Sequence, residues 1–293
     1  MKTVHTRAEL AAALSPWRRE DRAVALVPTM GHLHRGHLAL VERARRDAQH
    51  VVASIFVNPL QFDRADDLAA YPRTLEADAQ ALADAGVDLL FAPPEAEVYP
   101  RGREGVTRVE VPGLGDDLEG AHRPGHFTGV ATVVCKLFGM VRPHLAVFGE
   151  KDFQQLMIVR RMTADLDLGV EILSEPTVRE PDGLALSSRN SLLDENDRAR
   201  APALYRSLAG CGKRLAAGET DVPALEQAGR AELEAAGLRP DYISIRRRQD
   251  LGPPGPEDQA LVVLGAAWCG PVRLIDNLTV DLLHCGRLRI MTG

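Results

Sequence analysis

What most constrains this chain is a junction, where an apolar run stops at a glycine- and histidine-rich turn and an amphipathic run begins. The apolar run is AVALV, Ala23–Val27, which reads as a buried strand, and the turn is PTMGHLHRGH, residues 28–37. From Gly36 onward Leu38, Val41, Arg45 and Ala48 recur at helical spacing, with Leu40 and Ala44 beside them. Gly31 and Gly36 let the backbone approach a ligand with no Cβ in the way. His34 and His37 share a face once the helix has begun, and the unpaired amides of a helix start favour a bound phosphate. The turn is a candidate nucleotide site. It matches neither Gly-x-Gly-x-x-Gly nor the phosphate loop ending in Gly-Lys-Ser/Thr. The competing reading makes the histidines surface or capping residues.

The same layout recurs along the chain. VVASIFVNPLQF (51–62) reads as a second strand ending near Asn58-Pro59, because proline continues a central ladder poorly. Gln61 then lies just beyond a strand end, where open α/β sheets place ligand contacts, although an ordinary loop amide would sit there too. A helix runs from Thr74 to a stop at Gly86, and VDLLFAP (87–93) is a third strand. VTRVEV (106–111) is a candidate edge strand. RPGHFTGVATVVCKLFGMV (123–141) is a turn and then an apolar helix, with Arg123, His126 and Thr128 as candidates for a pocket rim and Cys135 in the core. LAVFGEKD (145–152), a helix over 153–166 and VEIL (170–173) form another strand–helix–strand unit. Such units with short links predict a parallel sheet covered by helices.

After Thr177 the sheet periodicity lapses. Helices over about Glu195–Ala217 and Asp221–Ala236 precede strands at 241–246, 260–268 and 272–280, which predicts a smaller α+β domain. The expected division is 1–176 and 177–293.

Charge narrows the partners. The net charge is −6, and residues from Thr177 onward hold 15 basic and 16 acidic side chains, so neither part is basic. Non-specific binding to nucleic acid or to an anionic membrane is disfavoured, and the Arg246–Arg248 run reads as solvated surface. No apolar run approaches a membrane span, and the N-terminal stretch lacks an apolar signal core, so a cytoplasmic protein is expected. Cys135, Cys211, Cys269 and Cys285 are scattered without metal-ligand spacing, which predicts reduced thiols and no disulfides.

Lys151, Asp152 and Gln155 follow the LAVFG strand in the same topological place as the histidines follow theirs. The lysine can pair with phosphate as a mobile point charge, Gln155 can hydrogen-bond a polar substrate, and Asp152 can cap the helix through its oxygen. Ser187, Ser188 and Arg189 put two hydroxyls beside a guanidinium, a set of donors for phosphate oxygens or a serine-rich cap. These groups can stabilise charge building on an attacked phosphate. No serine stands in Gly-x-Ser-x-Gly and no HExxH is present, so electrostatics and positioning outrank covalent or metal-hydrolase chemistry. A triphosphate would bring its own magnesium.

PTMGHLHRGH, FVNPLQF, RPGHFTGVATVV, FGEKDFQQL and DGLALSSRN, in this order and with the later VRLIDN, closely resemble the pantoate–β-alanine ligase family of HIGH-type nucleotidyltransferases. The resemblance implies a Rossmann-like parallel-sheet domain that binds ATP and pantoate, a smaller α+β C-terminal lid, and a homodimer. It implies condensation of (R)-pantoate with β-alanine, using ATP and Mg2+, through pantoyl adenylate, with AMP and pyrophosphate released. On this chain it assigns His34 and His37 to the ATP phosphates, Lys151 to a phosphate, and Asp152 to the magnesium or ribose region. The resemblance also places Met30 near nucleotide and pantoate and Gly149 in the ATP site, and gives Gln61 and Gln155 to pantoate. By the same resemblance Ser187, Ser188 and Arg189 occupy the place of a mobile phosphate loop that closes over the triphosphate.

His32, Arg35, Gly139 and the arginines of DYISIRRRQDL depart from the commoner family pattern without replacing a matched phosphate-binding group. Another HIGH-type enzyme with a different acceptor, and an inactive nucleotide-binding relative, are the competing classes. Gln61 with Gln155 favours a compact polar acid, and the lack of a broad basic surface argues against tRNA.

Overall fold

The computed structural model describes residues 1–62 and 65–282. Contacts divide the chain into two units, Met1–Gly149 with Gln154–Glu175, and Glu150–Phe153 with Pro176–Gly293. The first unit opens with β1 (Lys2–Val4), α1 (Arg7–Arg19), β2 (Val24–Thr29), α2 (Arg35–Asp47) and β3 (His50–Ile55). It continues with α3 (Ala65–Ala70), α4 (Leu75–Asp84), β4 (Leu89–Phe91), α5 (Glu95–Val98) and α6 (Glu119–His122). It closes with α7 (His126–Val141), β5 (Leu145–Gly149), α8 (Phe153–Asp165) and β6 (Glu171–Glu175).

The six strands form one parallel, Rossmann-like sheet in the order β1-β4-β3-β2-β5-β6. The runs are apolar without alternation because both faces are buried. Val24, Leu26, Val52, Phe91 and Phe148 enter a core with residues of α1, α7 and α8. Ala25, Val27, Val51, Leu90 and Val147 enter another with residues of α2 and α4.

The order of the strands reverses between β2 and β5, the topological switch point at which open α/β sheets bind ligands. There β2 and β5 pair only at Ala25–Leu145 and Leu26–Ala146. The reason is local. The carbonyl of Val24 accepts from His144 on the β5 side, whereas those of Ala23 and Thr29 accept from His50 and Phe56 on the β3 side. By alternation residues 24, 26 and 28 face β5, and Pro28 has no N–H to offer. The ladder therefore stops at Leu26, and the carboxyl ends of β2 and β5 part.

The second unit contains α9 (Glu195–Arg200), α10 (Ala203–Ala216), α11 (Val222–Ala235) and an antiparallel sheet β7 (Arg239–Arg247), β8 (Ala260–Cys269), β9 (Val272–Asp281). Leu204, Leu208, Leu225 and Leu233 of the helices bury against Ile243, Val263, Leu274 and Leu278 of the strands. Glu150–Asp152 and Ser188–Leu192 are short 3-10 turns of this unit.

Several elements differ from expectation. VTRVEV makes no ladder; the Val109 N–H donates to Thr132 Oγ1 at 3.0 Å, while Val106, Val109 and Val111 still pack on the core. The expected helix over 195–217 is two helices interrupted at Pro202. The strand expected to end near Asn58-Pro59 ends at Ile55, and Pro59–Gln61 is a 3-10 turn. β1 and α1 add to the expected elements; the Thr6–Glu9 capping box starts α1. Cys135, Cys211 and Cys269 are free thiols, while Cys285 lies outside the described residues. No helix among the described residues is long and apolar enough to cross a membrane.

Candidate active site

In the first unit the chain leaves β2 through a turn that needs left-handed backbone, with φ of +83° at Gly31 and +52° at His32. Gly31 is required twice over, since a Cβ there would stand 3.0 Å from Asp78 Oδ2. Asp78, on α4 and only 4% exposed, accepts the N–H of His32 at 2.8 Å, the N–H of Leu33 at 2.9 Å and the hydroxyl of Thr74 at 3.0 Å. One carboxylate thus replaces the ladder bonds that the turn gives up. Nothing in the sequence singles out Asp78, which is 45 residues from Leu33 along the chain.

His34 is the N-cap of α2, in extended conformation, and its Nδ1 accepts from the Gly36 N–H at 3.1 Å. The His34 N–H donates in turn to His37 Nδ1 at 3.3 Å, and the two rings lie 4.1 Å apart. The capping reading and the paired-histidine reading are therefore both realised in one arrangement. An imidazole whose Nδ1 accepts a main-chain N–H carries its proton on Nε2, so each ring is set as an Nε2–H donor. No acidic side chain lies in the first turn of α2, whose amide end favours an anion.

Met30 and Gln61 are brought together. Gln61 is buried, its Nε2 donates to Met30 Sδ at 3.1 Å, and its Oε1 accepts from Asn58 Nδ2 at 3.0 Å. Asn58 is fixed by Tyr99, whose hydroxyl donates at 2.6 Å; burial pushes that phenol above its usual range. Arg123 and His126 stand behind Gln61, donating to its backbone carbonyl at 3.2 and 2.8 Å, so they brace the turn. Thr128 is half-buried on the same helix. Gly129 lets α7 press on the turn, because a Cβ there would collide with the Leu60 carbonyl. Gln155 is half-buried on α8 and takes no part in the Met30–Gln61 pair. Its neighbour Gln154 is buried and clamps the 114–119 loop, donating to the carbonyls of Leu114 and Asp117 and accepting from the Glu119 N–H. Gly149 ends β5 at the switch point.

The second unit gathers Lys151, Ser187, Arg189, Asn190, Arg273 and Asp276 around one cavity. Ser188 does not line it. Ser187 Oγ accepts from the Arg189 N–H at 3.3 Å and so caps the 3-10 turn. Asn190 Nδ2 donates to the Ala185 carbonyl, and its buried Oδ1 finds no partner among the described residues. Lys151 Nζ lies 3.9 Å from Asp152 Oδ1. Asp276 is gripped by Arg179 through two bonds of 2.6 and 2.9 Å, and the Arg179 guanidinium lies 4.0 Å over the Tyr205 ring. Burial pushes the Asp276 carboxyl above its ordinary value, against the pull of Arg179. Among the described residues no group of three or more His, Cys, Asp and Glu could hold a metal ion.

A family model described as pantoate-beta-alanine ligase matches residues 2–279. Pantothenate synthetase of Thioalkalivibrio sulfidiphilus is 75% identical over 286 residues, covering 98% of this chain and all of that protein. The pantothenate synthetase of Pseudomonas aeruginosa PAO1 is 57% identical over 282 residues, 96% of this chain and all of its own. The crystal structure of pantothenate synthetase from Thermus thermophilus superposes with a TM-score of 0.88 at 51% identity, covering 95% of this chain and 99% of that one. The ligase from Francisella tularensis, solved complexed with beta-gamma ATP and beta-alanine, gives 0.80 at 33% identity, covering 94% and 97%.

Proposed function

The chain belongs to the pantoate–β-alanine ligase family, and from that premise we propose how its own residues carry out the reaction. The enzyme is an AMP-forming ligase that uses ATP to join pantoate to β-alanine through pantoyl adenylate. A pantoate carboxylate oxygen attacks the α-phosphorus, the bond from that phosphorus to the β-phosphate bridge breaks, and pyrophosphate leaves. The β-alanine amine then attacks the acyl carbon, AMP leaves, and the amine gives up a proton as the amide forms.

His34 and His37 donate from Nε2 to the phosphate oxygens on which charge builds. The observation that carries this reading is the pair of Nδ1 acceptor bonds, which makes each ring a donor on its far side. Lys151, Ser187, Ser188 and Arg189 take triphosphate oxygens, and their shared cavity, Ser188 aside, supports that grouping. Gly149, at the end of β5, leaves room for the nucleotide. Gln61 and Gln155 hold pantoate, with the Met30 thioether against both substrates; the Gln61–Met30 contact supports this. Magnesium enters with ATP. Asp152, a half-exposed single carboxylate, fits a cation that keeps most of its waters and takes phosphate oxygens. When bound, the ion neutralises phosphate charge.

Residues 1–176 are the ATP- and pantoate-binding domain and 177–293 the lid in this reading. The contact boundary after Glu175 supports it, Glu150–Phe153 groups with the latter, and residues 283–293 lie outside those described. A cytoplasmic homodimer completes the reading, and the net charge of −6 supports the absence of a nucleic-acid or anionic-membrane partner.

The test combines product analysis with single-turnover rates. ATP, magnesium and pantoate should give a trappable acyl adenylate, and adding β-alanine should give AMP and pantothenate. His34→Ala or His37→Ala should slow adenylate formation by about 10²–10³-fold, as losing one preorganised donor does. Unchanged single-turnover rates would remove the histidines from that role.

A further inference from the structure

We propose that Asn277 is the positioning residue that holds the Lys151 ammonium in register with the phosphates, acting through the backbone of the 150–152 turn. The inference rests on the reading of Lys151 as a phosphate-binding group. Lys151 sits in a three-residue 3-10 turn, which is too short to fix its own orientation. The terminal carbonyls of such a turn need outside donors. Asn277 supplies both at once, with Nδ2 donating to the Glu150 carbonyl at 2.7 Å and to the Lys151 carbonyl at 2.9 Å.

The amide is itself immobilised. Asn277 is 5% exposed, sits within the β8–β9 ladder opposite Leu264, and donates its own N–H to Asp276 Oδ1 at 2.8 Å. Its backbone carbonyl accepts from Arg179 Nη2 at 3.1 Å, and Arg179 in turn grips Asp276 and stacks on Tyr205. A chain of bonded groups therefore runs from an aromatic ring in α10 to the main chain of the lysine.

Side-chain chemistry at this position is decided by its targets. Two carbonyl oxygens demand two protons on one planar group, which an asparagine amide supplies. A carboxylate of the same shape would set its lone pairs against both. This is why adjacent Asp276 and Asn277 are not interchangeable: one takes a guanidinium and the other feeds carbonyls.

Substitution should separate positioning from scaffolding. Asn277→Asp should lower the rate of pantoate-dependent ATP–pyrophosphate exchange by about 10–100-fold, the range expected when a charged group is displaced by about an ångström. The KM values for pantoate and β-alanine should stay within about twofold, since Gln61 belongs to the first unit. If Asn277 acts through Lys151, combining Asn277→Asp with Lys151→Met should be no slower than Lys151→Met alone. Full multiplication of the two effects, or a general rise in all three KM values with the loss of rate, would overturn the proposal while leaving Lys151 in place. A Lys151→Met enzyme that exchanges at the full rate would instead overturn the lysine reading and the proposal with it. Should Asn277→Asp fail to fold, Asn277→Ala removes the donors without adding charge and is read by the same cycle.

Discussion

Asp78 carries the heaviest structural duty near the histidines for a residue that touches neither ring. In Asp78→Asn one oxygen becomes an NH2 group of the same shape. The native carboxylate accepts N–H groups at 2.8 and 2.9 Å through separate oxygens, so the amide can keep one and must face the other donor with a donor. Losing a bond to a charged group costs about 1.5–3 kcal/mol, and an unsatisfied buried N–H costs about 1–3 kcal/mol. Because relaxation couples the two, a total of about 3 kcal/mol is expected. At about 2–4 °C per kcal/mol, the melting transition should fall by about 6–12 °C. The turn leads straight into the His34 cap, so ATP–pyrophosphate exchange should fall by about 10²-fold in enzyme that is still folded at the assay temperature. Thr74→Val removes only the hydroxyl bond at 3.0 Å and should cost about 1 kcal/mol with little change in rate. An Asp78→Asn protein that melts and exchanges like the parent would refute the idea that this carboxylate holds the turn.

Three further outcomes are expected. Gly129→Ala would drive a methyl into the Leu60 carbonyl, so α7 or the Gln61 turn must shift; a stability loss of about 1–3 kcal/mol and a raised KM for pantoate should appear together in melting curves and steady-state kinetics. Gln61→Ala should weaken pantoate binding by about tenfold or more, about 1.4 kcal/mol, while ATP titrates as before, and an unchanged pantoate isotherm would count against the contact. Burial pushes the Cys211 thiol up to about 11, so at pH 8 only about one part in a thousand is thiolate; peptide mapping after iodoacetamide should find Cys211 unmodified in the native protein and alkylated after denaturation.

The runs 23–27, 87–93 and 145–149 are legible as strands because burial on two faces leaves no room for polar side chains. VTRVEV misleads for an informative reason. Its three valines do pack inward, but they stand three and two residues apart, the Val109 N–H goes to a threonine hydroxyl rather than to a neighbouring strand, and an apolar pattern reports burial only. β1 escapes notice because three residues with one buried side chain carry too little pattern. Pro202 is visible in the sequence, yet the apolar spacing runs through it and hides its power to interrupt a helix. At the candidate site, residue types that act on ligands stand out in turns. Those that hold the turns do not: Asp78 and Asn277 are ordinary polar residues in a helix and a strand, and their partners lie 46 and 126 positions away. The tandem glutamines show the same limit, since nothing in the sequence says that Gln154 clamps a loop while Gln155 does not.

Pro28 has a consequence for where the sheet can open. Even-numbered residues of β2 face β5 and odd-numbered ones face β3, so the side of the strand that unzips depends on the parity of the proline's position. Shifted by one residue, the same proline would break the pairing with β3 and split the sheet on its other side. Shifted by two toward the N-terminus, it would deepen the split by one rung. Strand order places the opening between β2 and β5, and the missing hydrogen of Pro28 marks the rung at which their pairing stops.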